Sequence, residues 1–451
     1  MSSSSLPPLR VVYWTRWFNG LMFDGQDLGL NERECPIPKG YNISGEPWCT
    51  ITPSLEDVGN AAGVVFHAAD YYPSTVPDRI ENQPWILQTQ ESPLTAPFRA
   101  EKHRMEPFTY LASYHLKSSF LFSYYSPAIM DIANRPLPSN FMDTKTTKAP
   151  IVWIARNCQA SSGRQHYVAE LMKYIKVDSY STCLNNQDFP DDKTRMELMS
   201  EYKFYLAIEN ANCDDYVTEK LFDTFLASTV PIVDGPKSYD GFIPNERSII
   251  RMDAYPDPRD LAAYIDYLDK NDTAYLEHLS FRTQVLDVAP RDRLDPSFIG
   301  NWSDPALHNQ RNSWCSICRG MVPWWNARSN HGPPPSLDDN RLVVDDTCSP
   351  KGKWDYVLNG PPYIPEWEPS KPYTISSAND TTISSNLPEE DEYDLFGTVD
   401  DITTARLIWM VEILAGALFI SIVFGVTFKR RRQQQLIKKS KQAKMDHEMC
   451  I

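Results

Sequence analysis

The stretch from Phe204 to Pro236, FYLAIENANCDDYVTEKLFDTFLASTVPIVDGP, leaves this chain little choice of architecture. Phe204–Ile208 is a short apolar run of the kind buried on both faces of a parallel sheet. Tyr216 to Ala227 reads as a helix, with Val217, Leu221 and Phe225 spaced by fours along one side. Val230–Val233 is a second apolar run, closed by Asp234, Gly235 and Pro236. Strand, helix and strand at this spacing make a βαβ crossover, so the fold class is α/β with parallel strands. Ligands of such sheets bind beyond the carboxyl ends of the strands. Glu209 and Asn210 follow the first strand directly and arrive at that edge. Asp214 or Asp215 is placed to cap the helix, whose first turn holds Tyr216, Thr218, Glu219 and Lys220. A helix N-terminus with a cation beside it suits a diphosphate. A carboxylate there, Glu219, suits ribose hydroxyls.

Further strands are expected at Arg10–Trp14, Gly63–His67, Trp85–Gln88, Phe120–Tyr124 and Ile151–Ala155, and further helices at Arg164–Ile175 and Asp260–Leu279. These group into an α/β domain over 8–147 and a second over 148–319. Beyond them Pro333, Pro334, Pro335, Pro361, Pro362 and Pro365 break regular structure, and Ser, Thr and acidic residues dominate from Ser370 to Asp401. Residues 320–406 therefore read as a solvated stem.

Charge divides the chain. Its net charge is −15, which argues against a nucleic-acid partner. From Lys429 to the end there are eight Lys or Arg and two Asp or Glu. Before that tail, 407–428 (LIWMVEILAGALFISIVFGVTF) has the length of a transmembrane helix, with Glu412 its one ionisable residue. Lys429, Arg430, Arg431 and Arg432 follow at once, so the tail 429–451 is expected in the cytosol and the rest in the secretory lumen. Sequons at Asn42, Asn271, Asn301 and Asn379 all precede the span, as do eight of the nine cysteines. An even lumenal set suits disulfides, whose pairing sequence leaves open. The start, MSSSSLPPLRVVYW, lacks the features of a signal peptide, so a start further upstream is expected.

The run Glu209–Asn210, Asp215–Tyr216–Val217–Thr218–Glu219–Lys220, Val230–Pro231, Val233 and Gly235–Pro236 resembles the α-1,3-fucosyltransferase family. The resemblance extends upstream through Arg156–Asn157–Cys158, Gly163–Arg164, Val177–Asp178–Ser179–Tyr180 and Cys183, and through Val64–His67 and Trp85–Pro93, and covers about 10–319. It implies two Rossmann-like domains facing a cleft, the GT-B arrangement. It implies GDP-fucose as donor and N-acetylglucosamine of a glycoprotein glycan as acceptor, joined α-1,3 with inversion. Glu91, in Glu91–Ser92–Pro93, holds the place of the catalytic base. Arg164 holds the place of an arginine on the diphosphate, and Arg164 with Lys220 would stabilise the leaving GDP. Asn210, Tyr216 and Glu219 complete the expected donor residues. No cofactor or divalent metal is required, and the chain has no Asp-x-Asp triplet. Trp314–Cys315–Ser316–Ile317–Cys318 resembles the family's C-terminal Cys-x-x-C, for which bridges to Cys35 and Cys49 are expected; Cys158 and Cys183 are further disulfide candidates. The expected location is the Golgi membrane, anchored by the C-terminal helix. The chain departs from the family at His115, in Tyr114–His115–Leu116–Lys117–Ser118–Ser119, where an arginine is usual. That departure and the C-terminal anchor leave a second reading, a sugar-binding type I membrane protein of the same fold without turnover.

Overall fold

A computed structural model describes residues 5–373 of the chain, apart from 283–288, 305–313, 338–341 and 343–346. The expected span 407–428, the tail 429–451 and Asn379 lie outside the described residues. Among the described residues no helix is long and apolar enough to cross a membrane.

Short apolar runs bounded by turn residues become strands. In the first half these are β1 (Leu9–Tyr13), β2 (Leu28–Leu30), β3 (Cys49–Thr52), β4 (Gly63–His67), β5 (Trp85–Thr89), β6 (Tyr110–Ser113) and β7 (Phe120–Leu121). They form one sheet in the order β2-β3-β1-β4-β5-β6-β7, parallel except where β2 meets β3. In the second half, β8 (Ile151–Ala155), β9 (Val177–Ser181), β10 (Phe204–Ile208), β11 (Val230–Asp234) and β12 (Ile250–Arg251) form an all-parallel sheet. Its order is β12-β11-β10-β8-β9. All five residues of β4, β5, β10 and β11 are buried, as parallel strands covered on both faces require.

The helices are α1 (Lys102–Met105), α2 (Ala128–Ala133), α3 (Arg164–Leu171), α4 (Arg195–Ser200), α5 (Glu219–Leu226), α6 (Pro258–Lys270), α7 (Asp272–Glu277), α8 (Pro296–Trp302) and α9 (Trp314–Ser329). In the second sheet the chain steps from β8 to β9 on one side, then crosses to β10 on the other. Loops that leave such a reversal in opposite directions open a crevice at the carboxyl edge, where ligands bind. The first sheet repeats the pattern, with β3 and β4 on opposite sides of β1.

Helix boundaries differ from the sequence reading for local reasons. The helix expected from Tyr216 starts at Glu219, because Asp215 adopts φ 58° and Thr218 is extended at φ −106°, ψ −173°. The cap is therefore Thr218, and not Asp214 or Asp215. The helix expected over Asp260–Leu279 divides at Asn271, whose side chain accepts from Ala274 N at 3.1 Å and starts α7.

The stem expected from residue 320 is corrected by the structure over its first half. Helix α9 continues to Ser329 and buries Met321, Val322 and Ala327. Residues 347–367 pack on the second sheet, with Trp354 fully buried and Val357 and Tyr363 nearly so. Proline breaks helices and strands, but an extended segment can still bury its aromatic side chains.

Disulfides join Cys35 to Cys315, Cys49 to Cys318 and Cys213 to Cys348. Cys158 and Cys183, expected as bridge candidates, are both free thiols. Burial, with Cys158 beside it, pushes the Cys183 thiol up to about 12, so it lacks the thiolate that disulfide exchange needs.

The described sequons are unequal. Asn42 is exposed. The Asn271 side chain caps α7, and Asn301 Nδ2 donates to Gly241 O at 3.3 Å beside buried Trp302. In protein secreted from a eukaryotic host, glycopeptide mass spectrometry is expected to find Asn42 occupied and Asn301 largely unoccupied. Full occupancy at Asn301 would contradict this placement.

Candidate active site

Strand β5 ends at Thr89 and delivers Glu91 to the carboxyl edge of the first sheet. The turn is fixed locally: Thr89 Oγ1 accepts from Glu91 N at 3.1 Å, and Pro93 opens the next turn. The buried Arg99 donates to Glu91 O at 3.4 Å, and Tyr124 OH donates to Gln90 O at 2.8 Å. The Glu91 side chain points toward the second half. Tyr216 OH, from the loop before α5, donates to Glu91 Oε2 at 3.3 Å. Burial pushes the Glu91 carboxyl above its ordinary range, and Lys220 and the Tyr216 hydrogen bond offset part of that rise.

Two more contacts join the halves. Asp215 Oδ2 accepts from Leu116 N at 3.1 Å and lies 3.2 Å from His115 Nδ1. Tyr114 packs on Tyr216 with ring centroids 4.9 Å apart. His115 is thus part of the seam between the carboxyl edges.

On the second side, β10 presents Glu209, which is 2% exposed. Its carboxylate accepts from Thr218 N at 2.9 Å and from Thr218 Oγ1 at 2.8 Å, so it occupies the start of α5 itself. Lys220 Nζ lies 3.1 Å from Glu209 Oε2 and 3.2 Å from Glu219 Oε1. Burial alone would pull the Lys220 pKa down, but Glu209 and Glu219 outweigh it and hold the ammonium above its usual range. Burial raises the Glu209 carboxyl despite Lys220. Glu219 is net lowered: burial pushes it up, and Lys220 and Arg195 more than reverse that.

Arg164, the first residue of α3, is 3% exposed. One guanidinium nitrogen donates to Ile208 O at the end of β10, and its Nε has no partner among the described residues. Arg164 and Lys220 therefore flank one carboxylate, Glu209, at the reversal between β8 and β10. Asn210 Oδ1 and Asn212 Oδ1, in the loop after β10, and the Tyr239 hydroxyl are buried and have no partner among the described residues. Buried polar atoms without partners are few in folded proteins. Their grouping here marks a buried polar cluster beneath the carboxyl edge, where ligands of such sheets bind.

A family model described as glycosyltransferase family 10 (fucosyltransferase), C-terminal, matches residues 143–326, and the fucosyltransferase N-terminal model matches 7–125. A chicken protein named GDP-fucose protein O-fucosyltransferase 3 is 31% identical over 318 residues, which span 64% of this chain and 67% of that one. The chain belongs to the family 10 fucosyltransferases. A Drosophila family member named Alpha-(1,3)-fucosyltransferase B is 29% identical over 289 residues, 59% of this chain and 61% of that one. A crystal structure titled alpha1,3-fucosyltransferase with GDP aligns with a TM-score of 0.44 at 17% identity, covering 72% of this chain and 92% of that one. As a member of this family the chain is a glycosyltransferase.

Within this fucosyltransferase the sequence-expected residues fall into two groups. Arg164, Asn210, Glu219 and Lys220 gather at the second sheet's reversal. Tyr216, expected beside the donor, lies within electrostatic reach of Arg164, Glu209 and Glu219 and also donates to Glu91. Sequence reasoning missed the turn that fills the first sheet's reversal. There Phe18 and Asn19 adopt φ 47° and 65°, and Phe18 N donates to Asp70 Oδ2 at 2.8 Å. The same carboxylate lies 2.7 Å from His67 Nδ1, and Phe18 stays 51% exposed. The adjoining aromatic residues Trp17 and Phe18 were the available signal.

Proposed function

We propose that this chain transfers L-fucose from GDP-fucose to a hydroxyl of a glycoprotein, by single displacement with inversion. The observation that carries this reading is Glu91 at the carboxyl edge of one sheet, held at 3.3 Å by Tyr216 from the donor motif of the other. Glu91 would take the acceptor hydroxyl proton as the oxygen attacks the fucose carbon. Arg164 and Lys220 would meet the charge that develops on the leaving diphosphate. Lys220 suits this because Glu209 and Glu219 fix its position and keep it protonated. On this reading no divalent metal is needed.

Two acceptor classes fit. The family resemblance favours N-acetylglucosamine of a glycan, linked α-1,3. The name of the chicken relative favours an oxygen of the polypeptide itself. A panel of glycopeptides ending in N-acetylglucosamine and of folded, unglycosylated domains, assayed for GDP release, separates them. Turnover of neither acceptor would favour the sugar-binding reading. We further propose that the protein works in the lumen of Golgi membranes, anchored by 407–428. Three disulfides and the sequons support an oxidising compartment.

Tyr216→Phe tests the pairing with the base. The lost hydrogen bond favours ionised Glu91, so its removal raises the Glu91 pKa further. The acid limb of kcat/KM, already above the ~4.3 of an ordinary glutamate, is expected to move to higher pH. An unmoved limb would remove Glu91 from that titration.

A further inference from the structure

The C-terminal family match ends at residue 326, yet residues 347–367 lie along the carboxyl edge of the second sheet. They touch the loops that follow three of its strands. After β8, Gly352 N donates to Ser161 O at 2.8 Å and Trp354 N to Ser162 O at 3.1 Å. After β10, Cys348 is bonded to Cys213, and Ser349 N donates to Asn212 O at 2.7 Å. At the end of β11, Lys353 Nζ lies 2.6 Å from Asp234 Oδ1, and Trp354 Nε1 donates to Asp234 Oδ2 at 2.8 Å.

Asp234 is 1% exposed and also accepts from Asn212 Nδ2 at 2.9 Å. Its backbone oxygen accepts from Glu209 N at 2.7 Å. It therefore adjoins Asn212 and Glu209, the carboxylate that Lys220 meets, at the same carboxyl edge. A buried carboxylate at that edge would repel a nucleoside diphosphate unless something cancels its charge. Arg251 already serves the neighbouring Asp253, through two hydrogen bonds of 2.9 and 2.8 Å. Lys353 Nζ also lies 3.4 Å from Asp253 Oδ2, but its shorter contact, at 2.6 Å, is with Asp234. Its ammonium is steered there by the rings of Trp354 and Trp367, 5.0 and 4.8 Å away, and Trp367 Nε1 donates to Lys353 O at 3.1 Å.

We propose that Lys353, brought in by residues 347–367, is a positioning residue of the donor half that cancels Asp234 and so admits an anionic nucleotide to the crevice. This rests on the donor reading above. The test uses the whole protein and GDP, with Lys353→Met, Lys353→Arg and the double change Lys353→Met with Asp234→Asn. Lys353→Met is expected to weaken GDP binding, and raise the KM for GDP-fucose, by about tenfold. The acceptor KM should not move. Lys353→Arg keeps the charge and should stay near the parent. The double variant removes both charges and should recover most of the GDP affinity, which a merely structural role for the pair would not predict.

GDP affinity unchanged in Lys353→Met, with only the unfolding temperature lowered, overturns the proposal. If Lys353→Met does not fold, the double variant decides. Binding close to the parent supports cancellation, and loss of binding overturns it. A parent protein that binds no GDP overturns the donor reading itself, and that outcome is distinct from either.

Discussion

Replacing Glu91 with glutamine is expected to lower kcat by about 10²–10⁴-fold, the usual worth of a general base. GDP affinity should stay within about twofold, because the loss belongs to the transition state alone. Glutamine keeps the length of the side chain and an oxygen that can accept from Tyr216, so the packing around Arg99 and Tyr124 is retained. What it cannot do is take a proton at the moment of attack. The burial that raises the Glu91 pKa makes the carboxylate a stronger base, while Lys220 offsets part of that rise. A variant that turns over at the parent rate would place the base elsewhere and remove the contact on which the functional reading stands.

The second large effect is expected from Cys315→Ser with Cys318→Ser. The two bridges span 280 and 269 residues, and loss of a native disulfide typically costs about 2–5 kcal/mol. The bridges pin α9 to the first sheet, where Ile317, Met321 and Val322 are fully buried beside Val11, Ile51 and Ile86. Without them the apolar face of that sheet keeps its cover only through packing. Thermal unfolding should show the loss in the first half, reported by Trp314 and Trp324 fluorescence. A melting curve unchanged by the double substitution would mean that α9 holds by packing alone.

The parts of this molecule that could be read in advance are those whose cause is local. β4, β8 and β10 follow from apolar runs of five residues, and the donor-side cluster from its order along one βαβ unit. The start of α5 could not be read. Tyr216, Val217 and Thr218, read as its first turn, stay outside it: Asp215 is drawn toward Leu116 and His115, and Glu209 takes the Thr218 N–H. Both partners are remote in sequence or lie on another strand. The same holds for Lys353 and Trp354, which meet Asp234 across about 120 residues. Their proline-rich surroundings carry the composition of a solvated linker, and composition does not say what an aromatic side chain will find to pack on. Cys213 and Cys348 were visible as residues, but their pairing required the path of the chain between them.

Helix α9 also sets the order in which the molecule can mature. Synthesis runs from the N-terminus, so the first sheet leaves the ribosome with β1, β3 and β4 made and their cover still untranslated. The second sheet's strands and flanking helices lie within 151–302, but its cover over 347–367, with Cys348, the partner of Cys213, is made later still than α9. Only when Trp324 has emerged can the earliest strands be sealed and the Cys35 and Cys49 thiols find their partners. The half that carries Glu91 is thus made first and waits for α9, and during that interval its exposed apolar face is a natural client for the chaperones of its compartment.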